Sequence, residues 1–208
     1  MITSISTKRC RRIFFCGNSL SVYADGNLTN AQYLTQRVYD GIRSLGGSNW
    51  AMSSLAVPSR TQTQINASMS TDLLPLIGYG DVVVLWELTN DLHGNNLTGA
   101  QAADNVYTFA QSVVATGAKL VVVTMIARDF TADASDLWTR GQTANSLIIA
   151  NAGTYGYTVA NPASDALFDE KTDASNATYY NADKLHLTAA GYNIVSDTYI
   201  IPAITAII

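Results

Sequence analysis

Asp81-Val-Val-Val-Leu-Trp86 is the stretch that decides the fold. Its unbroken apolar, β-branched run predicts a strand, and the pattern on either side of it repeats the motif. Downstream, a helix is predicted over Thr98–Thr116, carrying Val106, Phe109, Val113 and Val114. A β-branched strand follows over Lys119–Ile126, then a helix over Asp133–Ala152 stopped at Gly153, then a short strand over Tyr157–Ala160. A last helix spans Thr188–Ile207, with Pro202 breaking its final turn. Upstream, Thr61–Ile77 reads as a helix and Asn49–Leu55 as a strand. Asn30–Leu45 reads as a helix with Leu34, Val38, Ile42 and Leu45 on one face, capped by Asn30 and stopped at Gly46-Gly47. Arg12–Cys16 reads as the first, buried strand. Strand and helix alternate throughout, which implies βαβ units: a central, mostly parallel five-stranded sheet covered by helices on both faces. The 208 residues suit one domain over 1–208. In such sheets ligands bind beyond the carboxyl ends of the strands, so the residues after each strand are where chemistry is expected.

Composition removes several function classes. Apolar residues make up 48% and charged residues 13%, so a charge-rich disordered chain is excluded. The net charge is -4, and Lys8, Arg9, Arg11 and Arg12 are four of only twelve basic residues. A nucleic acid would find little to grip elsewhere, so no nucleic-acid partner is expected. The basic cluster reads as a solvated strand edge. Cys10 and Cys16 lie six apart, about 20 Å along a strand, too far to bridge, and free thiols are expected. No Cys/His spacing suggests zinc, so neither metal nor cofactor is expected. No run of 18 apolar residues exists, so no spanning helix and no membrane partner are expected. The N-terminus lacks a cleavage pattern after its short apolar run, which favours a cytoplasmic reading. The low lysine content and many Ser, Thr and Asn residues also suit a secreted or virion-borne protein.

After the first strand comes Gly17-Asn18-Ser19-Leu20-Ser21. Ser19 there is either a nucleophile or a plain capping serine, and a nucleophile needs a base. The chain offers two histidines. His93 falls in a polar loop; His186 falls in Asp183-Lys184-Leu185-His186, just before the last helix. Asp183 can reach His186 on one turn and orient its ring, or it can simply favour a helix start. Leu88-Thr89-Asn90-Asp91 follows the third strand, where the Asn90 carboxamide can face a developing oxyanion. Val57-Pro58-Ser59-Arg60-Thr61 follows the second, where a tight turn can present the Ser59 N–H. Asx and proline turns are the plain alternatives for these two stretches.

These four blocks resemble those of the SGNH (GDSL-type) esterases. Gly17–Ser21 resembles the first block, Leu88–Asp91 the Gly-X-Asn-Asp block, and Asp183–His186 the Asp-X-X-His block. Val57–Thr61 falls where the oxyanion glycine block belongs, and the order from 17 to 186 is the family's. The resemblance implies a three-layer α/β/α hydrolase of flavodoxin-like architecture that needs no metal. It implies Ser19 as nucleophile, His186 as base and acid, and Asp183 as its orienter. The implied oxyanion donors are the Ser19 N–H, the Ser59 N–H and the Asn90 side chain. Two family glycines are replaced, by Ser59 and by Leu88. Each replacement raises the expectation of a residue held at positive φ, at a cost of roughly 1–2 kcal/mol, and the leucine that of a narrowed acyl pocket.

Leu88, Tyr179 and Tyr180 are the candidate substrate contacts, the tyrosines because they precede the Asp183 block. The expected reaction is hydrolysis of short-chain esters or of O-acetyl groups, on a small-molecule or carbohydrate ester, through an acyl-enzyme on Ser19. The alternative is a carbohydrate-binding module that keeps this scaffold with weakened catalysis, motivated by the two lost glycines.

Overall fold

The computed structural model describes residues 10–22, 33–46 and 49–208. Val82–Trp86 is β3, and every residue of it is buried. It lies at the middle of a five-stranded sheet ordered β2-β1-β3-β4-β5. The others are β1 (Arg11–Gly17), β2 (Trp50–Ser54), β4 (Lys119–Val123) and β5 (Thr158–Ala160). All four pairings are parallel, and Gly17 of β1 lies opposite Trp86 of β3. A strand buried on both faces has no polar side to alternate, hence the continuous apolar run.

Helices cover both faces. On one pack α2 (Leu34–Gly46) and the C-terminal helix, against Ile13, Phe15, Val82, Val84, Val121 and Val123. On the other pack α3 (Gln62–Asp72), α5 (Gly99–Ala115) and α6 (Leu137–Tyr155), against Phe14, Cys16, Val83, Leu85, Leu120 and Val122. Odd and even strand positions thus feed two separate cores, as the period of two requires. Two short helices, α1 (Ser19–Val22) and α4 (Thr89–Gly94), follow β1 and β3 at the sheet's carboxyl edge.

The predicted boundaries hold where a capping side chain marks them. Thr61 and Thr98 each accept from the backbone N–H three residues on, with Gln64 and Gln101 returning the bond. The sequence reading fails at other ends. Helix α3 stops at Asp72, not Ile77, because Pro75 has no N–H and excludes helical backbone before it. Helix α6 runs past Gly153 and ends at Gly156, which takes the left-handed φ of 72°. Pro202 does not break the last helix. That helix runs on through α7 (Ala189–Ile194), a π segment (Val195–Ile200) and α8 (Ile201–Thr205). The wider π turns lie directly before Pro202, which cannot donate to the carbonyl four residues back. The predicted Asn30 cap, Gly47, Lys8 and Arg9 lie outside the described residues.

Arg11 and Arg12, the described half of the basic cluster, are not on an edge strand, since β1 is interior. Strand order is a long-range property that local charge does not report. Arg12 instead binds Asp81 at the start of β3, its backbone N–H at 3.1 Å and its guanidinium at 3.0 Å. Arg11 lies over the Trp50 ring, 5.6 Å from its centroid. Cys10 and Cys16 are free thiols, the first exposed and the second buried. Burial pushes the Cys16 thiol up to about 12, against the opposing pull of Arg60. Among the described residues no helix is long and apolar enough to cross a membrane.

Candidate active site

Strand β1 delivers Ser19 to the sheet's carboxyl edge through a turn that only glycine permits. A Cβ on Gly17 would lie 2.4 Å from the Trp86 carbonyl oxygen. The Asn18 side chain then accepts from the Leu20 N–H at 2.8 Å and starts α1, whose first residue is the half-buried Ser19. The capping role belongs to Asn18, which leaves the Ser19 hydroxyl uncommitted to the helix end.

The other half of the site arrives from residue 186. Tyr180 and Leu187 form an antiparallel bridge, and the Asn181 N–H donates to the His186 carbonyl at 2.8 Å, closing the loop between them. Within it Lys184 takes φ 56°, a conformation that costs a side-chain-bearing residue roughly 1–2 kcal/mol. That turn brings the Leu185 and His186 N–H groups onto Asp183 Oδ1, each at 3.0 Å. The remaining oxygen, Oδ2, lies 2.6 Å from His186 Nδ1. His186 Nε2 lies 2.9 Å from Ser19 Oγ. Burial pushes the Asp183 carboxyl up, but the bonds from the His186 ring and the two N–H groups outweigh it and hold the group below the usual carboxylate range. A carboxylate on Nδ1 fixes the tautomer with its proton there and leaves the Nε2 lone pair facing the hydroxyl. Asp183 does not start the last helix; Thr188 caps it.

The second histidine stands elsewhere. His93 lies in α4, not in a loop, with Nδ1 3.0 Å from Asp133 and its ring edge-on to Phe130. Asp133 also binds Arg128, so it serves this cluster and not the start of α6.

Around Ser59 and Asn90 the outcome is mixed. Ser59 takes φ 63°, so this position keeps the glycine-like conformation without the glycine. Its turn is laced to β1 through the Val57 N–H, which donates to the Gly17 carbonyl at 3.1 Å. Asn90 Nδ2 donates to the Arg60 carbonyl at 3.0 Å, which ties the third block to the second and leaves one carboxamide hydrogen over. Leu88 departs from expectation: with φ −156° and ψ −30° it is not held at positive φ. It is 2% exposed and packs in the core with Ile65 and Leu92, so it narrows no acyl pocket. Tyr180 is likewise 2% exposed, edge-on to Phe168 at 5.9 Å, and cannot stack on a substrate. Tyr179 is half-buried and packs on the same ring. The tyrosine pair alternates in and out of a bridged segment, a long-range pairing that two adjacent aromatics do not reveal.

Two buried acids escaped the sequence reading. Asp91 is fully buried and accepts from the Thr63 N–H and hydroxyl, Asn95 and Asn105, clamping α3, α4 and α5 together. Glu87 is 1% exposed, and its Oε1 accepts from the Asn90 N–H at 2.6 Å and from Asn18 Nδ2 at 3.4 Å. Burial and the nearby Asp91 charge push its carboxyl up to about 8, against the pull of the Asn90 and Asn18 bonds. The available signal was an acid set between Trp86 and Leu88 at the end of a buried run. Among the described residues no cluster of His, Cys, Asp and Glu is arranged to hold a metal ion. Two open cavities flank the site. One, of about 660 Å³, is lined by Ser59, Arg60, Gln64 and Asp72; the other, of about 370 Å³, by Asp129, Lys171, Asp183 and Lys184.

The chain is thus a parallel α/β/α sandwich with Ser19, His186 and Asp183 gathered at the carboxyl edge of its sheet. Solved structures share this fold. A GDSL-like lipase from Bacteroides thetaiotaomicron superposes with a TM-score of 0.73 at 21% identity, over 97% of this chain and 91% of that one. TesA superposes with a TM-score of 0.70 at 14% identity, over 95% and 100%. The esterase EstA from Pseudoalteromonas sp., inhibited there by monoethylphosphonate, superposes with a TM-score of 0.68 at 13% identity, over 94% and 97%. No protein-family model and no curated protein matches the sequence. The chain has the fold of the SGNH (GDSL-type) hydrolases.

Proposed function

We propose that this chain is a serine ester hydrolase acting through an acyl-enzyme on Ser19. The observation that carries the reading is one continuous hydrogen-bonded line, Ser19 Oγ to His186 Nε2 at 2.9 Å and His186 Nδ1 to Asp183 Oδ2 at 2.6 Å. His186 takes the Ser19 proton as Oγ bonds to the ester carbonyl carbon. The Ser19 N–H, the Ser59 N–H and the free Asn90 carboxamide hydrogen serve the resulting oxyanion. The intermediate collapses by breaking the bond to the alcohol oxygen, which leaves with the proton from His186. Water then gives a proton to His186 and attacks the acyl carbon. The second collapse releases the carboxylic acid and returns the proton to Ser19. Asp183 stays ionised throughout and stabilises the imidazolium.

The substrate class is a short-chain ester or an O-acetyl group on a hydroxyl-rich carrier such as a carbohydrate. Supporting it are the polar side chains around the second flanking cavity, Asp129, Lys171 and Lys184 beside Asp183. Such walls suit a hydrated leaving alcohol better than a long acyl chain. The test is Ser19→Ala on p-nitrophenyl acetate and on acetylated sugars. Loss of turnover by about 10⁴–10⁶ with unchanged circular dichroism is expected. Retained turnover would remove Ser19 from its role.

A further inference from the structure

Resting on the esterase reading, we propose that Glu87 is a positioning residue that couples the Ser19 turn to the Asn90 turn. Its one oxygen, Oε1, accepts from both sides: from the Asn90 backbone and from the Asn18 carboxamide. Asn18 passes the restraint on, because its own Oδ1 holds the Leu20 N–H and so fixes the turn that bears Ser19. The register of Gly17 against Trp86 puts the two turns side by side, and Glu87 is the first residue beyond that register. Asn18, which precedes the nucleophile, and the backbone of Asn90, a candidate oxyanion donor, thus share one buried acceptor.

The protonation state follows from what surrounds the group. Asp91 on α4 is the neighbouring carboxylate, and it accepts from the Thr63 N–H, Asn95 and Asn105. Arg128, from the segment after β4, contacts the Thr89 carbonyl at 3.5 Å but gives its Nε to Asp133. Arg60, from the segment after β2, directs its guanidinium to Ser68 and Asp72. Cys16 on β1 is a neutral thiol, and His186 lies across Ser19. No cation pairs with Glu87 among the described residues, and its Oε2 is buried without a hydrogen-bond partner. A neutral acid supplies the acceptor without placing negative charge beside an oxyanion that must form one bond further on. Ionised, the same group would oppose that charge.

The experiment follows kcat for p-nitrophenyl acetate against pH in wild type, Glu87→Gln and Glu87→Ala. Fluorophosphonate labelling of Ser19 is scored on the same samples. Wild-type kcat is expected to fall as pH rises through about 8, the value at which Glu87 loses its proton. Glu87→Gln keeps the acceptor and cannot ionise. It should stay within about threefold of wild type at neutral pH and lose the alkaline fall. Glu87→Ala should lose about 10–10² in kcat with KM little changed, less than deleting an oxyanion donor outright. An identical alkaline fall in wild type and Glu87→Gln overturns the proposal, as does wild-type kcat in Glu87→Ala. If Glu87→Ala does not fold, the Gln profile alone decides. Unlabelled wild type counts against the esterase reading and takes this proposal with it, whereas labelled wild type with an unaltered Gln profile counts against Glu87 alone.

Discussion

Replacing Asp183 by asparagine changes one atom and leaves the new side chain no good orientation. In the native site Oδ2 accepts from the imidazole at 2.6 Å while Oδ1 accepts two backbone N–H groups at 3.0 Å. If the new amide turns its NH₂ to the ring, Nδ1 must become an acceptor and the ring proton moves to Nε2. The histidine then points a donor at Ser19 and cannot take its proton. If the amide turns the other way, its NH₂ meets the Leu185 and His186 N–H groups, donor against donor, in a partly buried turn. The second arrangement costs about 1–3 kcal/mol for each donor left unsatisfied, so the first prevails. A wrong tautomer lowers kcat by about 10⁴, or ~5.5 kcal/mol in the barrier. Steady-state kcat on p-nitrophenyl acetate reads this directly, with thermal unfolding run beside it to show that the turn persists. A variant within tenfold of wild type would refute the reasoning, because the arrangement that prevails leaves His186 no lone pair facing Ser19.

Three further outcomes are expected. Ser59→Gly relieves a φ of 63° and should stabilise the fold by about 1 kcal/mol, or about 2–4 °C in Tm, without loss of kcat; a lower Tm would show that Ser59 is not strained. Leu88→Gly relieves no positive φ, since Leu88 has φ −156°, and it opens a void in the core. It should cost about 3–5 kcal/mol in chemical denaturation and bring no gain in turnover; unchanged stability would place Leu88 outside the core. Folded Glu87 keeps its proton up to about 8, while the unfolded chain loses it near the ordinary carboxyl value. The folded state therefore binds more protons between the two, and stability should fall as pH rises through that window, by at most about 1.4 kcal/mol per unit. Denaturation of Glu87→Gln at several pH values should lose this slope, and a parallel slope would contradict a buried neutral acid.

What was legible in the sequence was what short-range physics encodes. An unbroken apolar run at Val82–Trp86 gives an interior strand because both of its faces need cover. Thr61, Thr98 and Thr188 announce helix starts because one hydroxyl satisfies one free N–H. That Ser19 would meet the Asp183/His186 pair was legible because the resemblance lay in local spacing after a predicted strand and before the last helix. The rest depended on partners far along the chain. Leu88 was expected to be strained from its residue type, but its φ is set by how α4 leaves β3. Tyr180 was a candidate substrate contact, but the bridge to Leu187 turns it inward against Phe168. Glu87 went unassigned because its partners, Asn18 and Asn90, meet it only once β1 and β3 are in register.

The most direct measurement is intact-mass and peptide mapping of the folded chain after a small fluorophosphonate, which needs an activated serine but not the natural ester. The hydrogen-bonded line from Asp183 through His186 to Ser19 predicts one adduct per chain, on Ser19, abolished in Ser19→Ala and strongly slowed in His186→Ala. A folded protein that takes no label, or that carries it on another serine, would contradict the assignment of Ser19 as nucleophile.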